Sequence, residues 1–301
     1  TPGPTIPSAT HNSNNYVSWL IENTLTYNKK INSHTFDFLV GHSAQKYDRN
    51  YRTINGSNFA NDDIPWIVGA ATTTGTTNNN AYAIESMFGR LNYDFKGKYL
   101  FSASMRRDGS SRFGINKKYG TFPSASVGWL ASEESFFPKS DNFSFMKFKA
   151  GYGVTGNNNI GDYTQTTTLG PTNYVFSGAL VPGLSINNLG NPDLTWETSK
   201  QLDLGLEVSL FKSRVSLQYD FYDKRTDGML YQISIPFSSG YSSIRYNVGE
   251  FKMWGHEFQI NTKNLIGDLK WDTSMNFSFL DNKVLSLQDN TPIGGVNKYN
   301  D

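Results

Sequence analysis

Cysteine is absent from the 301 residues, which removes disulfides, thiolate metal sites and cysteine nucleophiles from consideration. Charge of one sign is not in excess either. Against 27 Lys and Arg stand 26 Asp and Glu, and no basic run exceeds two residues, so the broad positive field that nucleic acid requires is missing. No stretch approaches 18 consecutive apolar residues, which excludes a membrane-spanning helix. The opening "TPGPTIPSATHNSNN" has neither the basic nor the apolar region of a signal peptide. Histidine is sparse. His11, His34, His42 and His256 show no ligand spacing with one another or with a carboxylate on a helix, so no metal site is expected. No Ser-His-Asp spacing is found, and the carboxylate pair Glu133–Glu134 sits in a loop without an apolar context to split its pKa values. Catalytic residues and cofactors are therefore not expected.

One pattern tests that expectation. "GYGVTG" (151–156) matches G-x-G-x-x-G, a dinucleotide phosphate loop when it follows a strand and opens a helix. Here Gly151 and Gly153 fall inside an alternating segment, with Met146, Phe148, Ala150, Tyr152 and Val154 on the other face. The following "NNNIGDY" has loop composition. Glycines on the polar face of a strand leave room for something packed close to it.

What the sequence does have is aromatics: 21 Phe, 17 Tyr and 6 Trp, 15% of the chain, in a polymer whose mean hydropathy is −0.49. Large apolar groups in a hydrophilic chain imply alternation. In "QLDLGLEVSLF" (201–211), Leu202, Leu204, Leu206, Val208 and Leu210 share one face while Gln201, Asp203, Gly205, Glu207 and Ser209 share the other. The pattern resumes in "VSLQYDFYDK" after a short turn, which is a hairpin signal. The same reading predicts ten strands, near 16–29, 35–48, 82–95, 98–108, 121–131, 143–156, 199–211, 214–230, 248–264 and 270–286, and no long amphipathic helix.

Connection lengths alternate. Short ones fall at 30–34, 96–97, 212–213 and 265–269, with 132–142 in the same series; longer ones fall at 49–81, 109–120, 157–198 and 231–247. In an up-and-down sheet this places tight turns at one end and large loops at the other, as in transmembrane β-barrels. The strands are long against about 5–6 residues for a globular strand, and Tyr93, Phe95, Tyr99, Phe101 and Trp271 near strand ends suit aromatic girdles. The expected outward set includes Met87, Leu91, Phe101, Leu204, Leu206, Tyr219 and Phe277; the inward set includes Arg90, Asn92, Arg106, Asp203, Glu207, Asp220 and Asn276. Alternation alone does not separate this from a soluble sandwich with the opposite sense; strand length and loop asymmetry favour the membrane. "TTTGTTNNN" (72–80) reads as a hydrated, flexible loop tip, and "RRDGSSRFG" (106–114) as a polar turn whose arginines pair with Asp108 or an inner partner.

Longer segments resemble a known family. "FGRLNYDFKGKYLFSASMRRDGSSRFG" (88–114), "GTFPSASVGWLASEESFF" (120–137), "MKFKAGYGVTGNNNIGDY" (146–163), "NPDLTWETSKQLDLGLE" (191–207) and "FYDKRTDGMLY" (221–231) resemble, in order, the SusC/RagA family of TonB-linked outer-membrane transporters of Bacteroidota. The resemblance covers about 16–286. It implies an all-β fold, an antiparallel up-and-down transmembrane barrel. Residues 1–301 would form a partial barrel domain, about ten strands of the plugged, 22-stranded type, with plug, TonB-contacting segment and terminal strands outside the chain. It implies import of a large nutrient, glycan or peptide, across the bacterial outer membrane. The expected partners are a SusD-like lipoprotein lid, TonB through the missing N-terminal region, and the lipid bilayer, with the long loops extracellular and no nucleic acid. Loops 49–81 and 157–198 offer Trp66, Tyr163, Tyr174 and Phe176 as candidate ligand or lid contacts, since aromatic faces can stack on sugar rings. The alternatives are a passive porin, marked by an open lumen without energy coupling, and a soluble β-rich adhesin or glycan-binding domain, marked by solubility without detergent. Long inward side chains make a closed ten-strand barrel costly, so the first and tenth strands are expected not to pair.

Overall fold

The computed structural model describes residues 7–287 apart from 61, 62, 65 and 139; the terminal "DNTPIGGVNKYND", a stretch of loop composition, lies outside the described residues. Among the described residues there are twelve strands: β1 (Ser8–Ile31), β2 (His34–Phe59), β3 (Ala70–Phe95), β4 (Tyr99–Ser110), β5 (Tyr119–Leu130), β6 (Phe143–Asn157), β7 (Thr168–Phe176), β8 (Ala179–Asn188), β9 (Glu197–Leu210), β10 (Val215–Ser234), β11 (Ser243–Ile266) and β12 (Lys270–Ser286). Ten of them form one antiparallel meander, β1-β2-β3-β4-β5-β6-β9-β10-β11-β12, and β7 pairs only with β8. All ten strands expected from alternation are in the meander. Among the described residues β1 and β12 do not pair, so the sheet is an open arc.

Two expectations are corrected. Residues 72–80 are not a loop tip but part of β3, paired residue by residue with 49–57 of β2. A run of threonines carries no apolar marker, yet its β-branched side chains favour extended backbone, and the partner strand satisfies every second peptide group. The 157–198 connection likewise contains the β7–β8 hairpin, closed by Ser177 and Gly178 with φ of 51° and 79°, the left-handed pair of a tight hairpin turn.

The short connections meet at one end and are stitched together. Lys96 N–H donates to Ser33 O at 2.8 Å, Leu130 N–H to Lys98 O at 2.8 Å, Lys212 N–H to Asp141 O at 2.8 Å and Lys263 N–H to Arg214 O at 2.7 Å. The β9–β10 turn places Phe211, Lys212 and Ser213 at φ of 55°, 59° and 61°, a strained run for residues with a Cβ. Its neighbour holds it: Lys212 Nζ lies 2.9 Å from Asp141, and Ser213 N–H donates to Ser144 Oγ at 3.1 Å.

Glu134, in the β5–β6 connection, gathers the girdle. It accepts from the Tyr99 hydroxyl at 2.6 Å and the Trp129 indole at 3.3 Å, with Lys98 Nζ 3.5 Å away. Expected to be an ordinary loop carboxylate, it is instead held below the usual glutamate range, first by the Tyr99 hydroxyl and then by the Trp129 indole, against the opposing effect of burial. The register that brings Tyr99 opposite Trp129 creates this site, and no local sequence signal marks it.

Register also settles the faces. Tyr93, Phe101, Val127, Ala150, Leu204, Phe221, His256 and Phe279 lie in one cross-strand row. One residue along lies the polar row Asn92, Ser102, Ser126, Gly151, Asp203, Tyr222 and Gly255. The polar face is concave: a cavity of about 970 Å³ is bounded by Asp37 of β2, Asn92, Ser126, Lys149, Asp203, Asp220 and Glu257 of β11. On that wall Lys149 Nζ bridges Glu207 at 2.8 Å and Asp220 at 3.3 Å. The convex face leaves its large apolar groups bare, with Met87 61% and Phe279 65% exposed. This is a globular sheet turned inside out. Strand length agrees: a bilayer needs about 9–11 tilted residues per strand, and β2 and β3 have 26 each, so more than half of each lies beyond the apolar layer.

Two outcomes follow. Leu206→Arg, on the convex face, should cost about 2–4 kcal/mol of folding into lipid vesicles if near the bilayer midplane. Ser209→Arg, on the concave face beside Ser216, should cost much less, and equal costs would refute the face assignment. For Glu134, a depressed folded-state pKa means that its tether is fully present above the ordinary glutamate value and is lost as pH falls through the lowered one. Fluorescence assigned to Trp129 by subtraction of a Trp129→Phe variant should therefore change only at a pH below the free glutamate midpoint.

Candidate functional site

At the opposite end the connections are long and carry most of the buried apolar groups. Phe113, from the β4–β5 connection, and Leu194, from the segment before β9, are fully buried; Ile160, Trp196 and Phe122 complete the cluster. Phe113 and Phe122 meet the Trp196 ring at centroid distances of 5.2 and 5.3 Å, the second edge-on. Trp196 also donates its indole N–H to Lys118 O at 2.8 Å, so its polar atom is not stranded by burial.

Asparagines brace these connections against β11. Asn247 Nδ2 donates to Thr195 O and Gly228 O, its Oδ1 accepts Thr195 N–H at 2.9 Å, and Asn191 Nδ2 donates to Arg245 O at 2.8 Å. In "NPDL", Asn191 Oδ1 accepts Asp193 N–H at 3.0 Å, a local turn that asparagine forms readily. The packing is close: a Cβ on Gly114 would lie 2.0 Å from Pro192 O.

The arginines of 106–114 take the structural roles expected of them. Arg106 pairs with Asp108 and donates to Ser86 Oγ. Arg107 stacks on Tyr119 at 4.7 Å, and Arg112 pairs with Asp162 at 2.8 Å. "GYGVTG" lies in β6, where Gly151 and Gly153 face Ser126 and Ser124.

The four candidate contact residues stand on three separate elements. Trp66, 74% exposed, precedes a 3₁₀ turn at Ile67–Gly69 and accepts the Gly69 N–H on its carbonyl. Tyr163 sits at φ 63° in the β6–β7 connection. Tyr174 and Phe176 share a face of β7, Phe176 73% exposed, and the Tyr174 ring lies over Gly183, where a Cβ would collide with it. No ring contact joins Trp66 or Tyr163 to the hairpin pair among the described residues. The hairpin's opposite face is apolar as well, with Leu169, Val175, Leu180 and Leu184 exposed. The arrangement offers stacking and hydrophobic contact rather than proton transfer. The buried cluster and the asparagine braces join residues up to 83 apart in sequence, and no local pattern announced them.

Comparison with known proteins is consistent throughout. The profile described as TonB dependent receptor-like, beta-barrel matches residues 2–300. A TonB-dependent receptor of Formosa agariphila is 37% identical over 93% of this chain and 28% of its own length. The TonB-dependent receptor SusC of Bacteroides thetaiotaomicron is 31% identical over 94% of this chain and 30% of its own length. Among solved structures, that of the RagAB peptide transporter superposes with a TM-score of 0.88 at 29% identity, covering 96% of this chain and 33% of that chain. The chain thus spans less than a third of the length of these curated relatives.

Leu194→Ala should destabilise the loop-end cluster by about 2–5 kcal/mol. Hydrogen exchange should show lost protection in 111–118 and 189–196 with β9 and β10 unchanged. Uniform loss across the sheet would mean that the cluster is not a separate unit.

Proposed function

The chain belongs to the TonB-dependent receptor-like β-barrel family, and from that premise we propose that it is part of the wall of a transporter that imports a large nutrient, a glycan or a peptide, across the bacterial outer membrane. In this reading its ten strands are an arc of a barrel of the 22-stranded, plugged type, closed by strands outside this chain. The concave polar wall faces a wet, plugged lumen, and the long connections face the cell exterior. Energy reaches the plug from TonB, which engages a region outside these residues. The receptor transports its cargo without altering it.

The observation that carries the reading is the inversion of the sheet, apolar and exposed on its convex side, charged and hydrated on its concave side. A soluble sandwich has the opposite sense, which argues against an adhesin. A porin shares the inversion, and only energy dependence separates the two.

A SusD-like lipoprotein completes the proposal as a lid over the loop end. The β7–β8 hairpin supports it. A two-stranded hairpin is marginally stable in water by itself, and one that exposes apolar groups on both faces marks a contact surface. Tyr174 and Phe176 are assigned to lid or ligand contact here, with Tyr163 and Trp66 as further candidates on separate connections.

In cells expressing the full-length receptor, uptake of its cargo should collapse when TonB is removed or the inner-membrane proton gradient is dissipated. Uptake that persists unchanged would refute the energised reading in favour of a passive pore. Excision of 169–186 should abolish co-purification of the lid lipoprotein while the barrel remains heat-modifiable on gels; full retention of the lid would overturn the hairpin's role.

A further inference from the structure

The extensions of β1, β2 and β3 beyond the apolar band carry a row of rings on their concave side. Tyr16 and Tyr47 lie 6.0 Å apart between centroids, and Tyr47 and Tyr82 lie 5.3 Å apart, stacked at 29°. The row is flanked by guanidinium groups. Arg49 sits 5.3 Å from the Tyr16 ring and 5.2 Å from that of Tyr51, and Arg112 lies 4.2 Å over Tyr82. The β2–β3 register runs without a bulge from Asn92, on the cavity wall, to Tyr82, so the row continues the lumen face.

Around the rings that face is narrow in chemistry. Besides Arg49, the side chains among the rings are asparagine and threonine, several already paired: Arg49 donates to Asn14 at 3.1 Å, Thr53 to Asn12 at 2.8 Å and Asn78 to the Tyr51 hydroxyl at 2.8 Å. The alternating positions 10–16, 47–55 and 74–82 on this face include no carboxylate and no aliphatic residue. The opposite face differs, with Asp48 and Ile54. Arg112 is fixed by Asp162 and is next in sequence to buried Phe113, so the row is anchored to the rigid loop cluster. Tyr16 is exposed and Tyr47 and Tyr82 are half-buried, which leaves ring surface open.

We infer that this row is a glycan-stacking platform on the lumen side of the loop end, a site distinct from the hairpin. A sugar ring presents C–H faces, which suit the negative faces of tyrosine rings, and a perimeter of hydroxyls, each both donor and acceptor, which suit amide and guanidinium side chains. A peptide would require apolar pockets for its side chains or carboxylates for its basic residues. Rings, amides and hydroxyls supply neither at these positions. The platform rests on the transport reading for its place on the cargo's route, and selects the glycan from the two cargo classes proposed above.

The test uses the purified full-length receptor and calorimetric titration with a panel of neutral and uronate-bearing oligosaccharides and of peptides. Tyr47→Ala and Tyr82→Ala should each weaken oligosaccharide binding about tenfold, the loss of one well-packed ring contact. Tyr47→Phe and Tyr82→Phe, which keep the ring, should stay close to wild type. Heat-modifiable mobility of every variant establishes that the barrel has folded. Alanine variants that bind oligosaccharides as wild type does, a loss confined to peptides, or a wild-type receptor that binds no oligosaccharide of the panel would each overturn the inference. Uptake that remains energy-dependent with Tyr47→Ala unaffected would sink the platform and leave the transport reading standing. Ring-dependent binding with uptake indifferent to TonB would do the reverse.

Discussion

The interstrand hydrogen-bond ladder is the constraint on which everything else in this molecule depends. In hydrocarbon there is no water to receive an unpaired N–H or C=O, and each one left open costs several kcal/mol. A chain crossing that layer as strands must therefore pair each of them on both sides and confine irregular backbone to the two ends. Between β1 and β12 the ten-stranded meander meets this demand by joining sequence neighbours at every step but one, and it leaves the outer edges of those two strands open among the described residues. The exception is instructive: the β7–β8 hairpin is set into the connection between β6 and β9 as a detour, and those two strands still pair along their length.

With backbone polarity settled by the ladder, side chains are free to reverse the usual order. Apolar groups need no interior, because lipid serves that purpose, and charged groups need no exterior, because the concave wall is wet. The two ends are then held by different forces. At the turn end, backbone bonds between neighbouring connections and the Glu134 carboxylate, which binds Tyr99 and Trp129, fix the girdle. At the loop end there is a small conventional core, with Phe113 and Leu194 fully buried and Trp196 between two other rings. That core lets long connections hold a definite shape over an opening.

How much of this could be read from the sequence depended on whether apolar residues marked the backbone. The alternation of Leu202 through Leu210 against Asp203 and Glu207 stated both the strand and its faces, and the connection lengths stated the end-to-end asymmetry. Beyond the bilayer the marker disappears. Thr72–Thr77 and Asn78–Asn80 are as extended as Leu91, but neither of their faces meets lipid, so period two became invisible and the segment resembled a loop. The β7–β8 hairpin was obscured by Pro171 and Pro182, which an isolated two-stranded ribbon tolerates and an internal strand does not. Glu134, the Phe113–Trp196 contact and the tyrosine row arise from register and long-range packing. Trp66, Tyr163, Tyr174 and Phe176 were recognisable as aromatics in polar surroundings, and their separation onto three elements was not.

The polar extensions of β1–β3 also bear on how the molecule enters a membrane. With the loop end facing outward, as proposed, their Asn- and Thr-rich halves have to traverse the hydrocarbon, and unpaired peptide groups could not make that passage at tolerable cost. The extension must therefore cross as a ribbon already in register, which makes hairpin formation the step that precedes insertion and not one that follows it. Because β1, β2 and β3 are adjacent in the chain, the ribbon needs only local loop closure, the least demanding kind kinetically. A one-residue slip would carry Tyr16, Tyr47 and Tyr82 to the opposite face. Assembly fidelity and the geometry of the lumen wall are thus decided in the same early event.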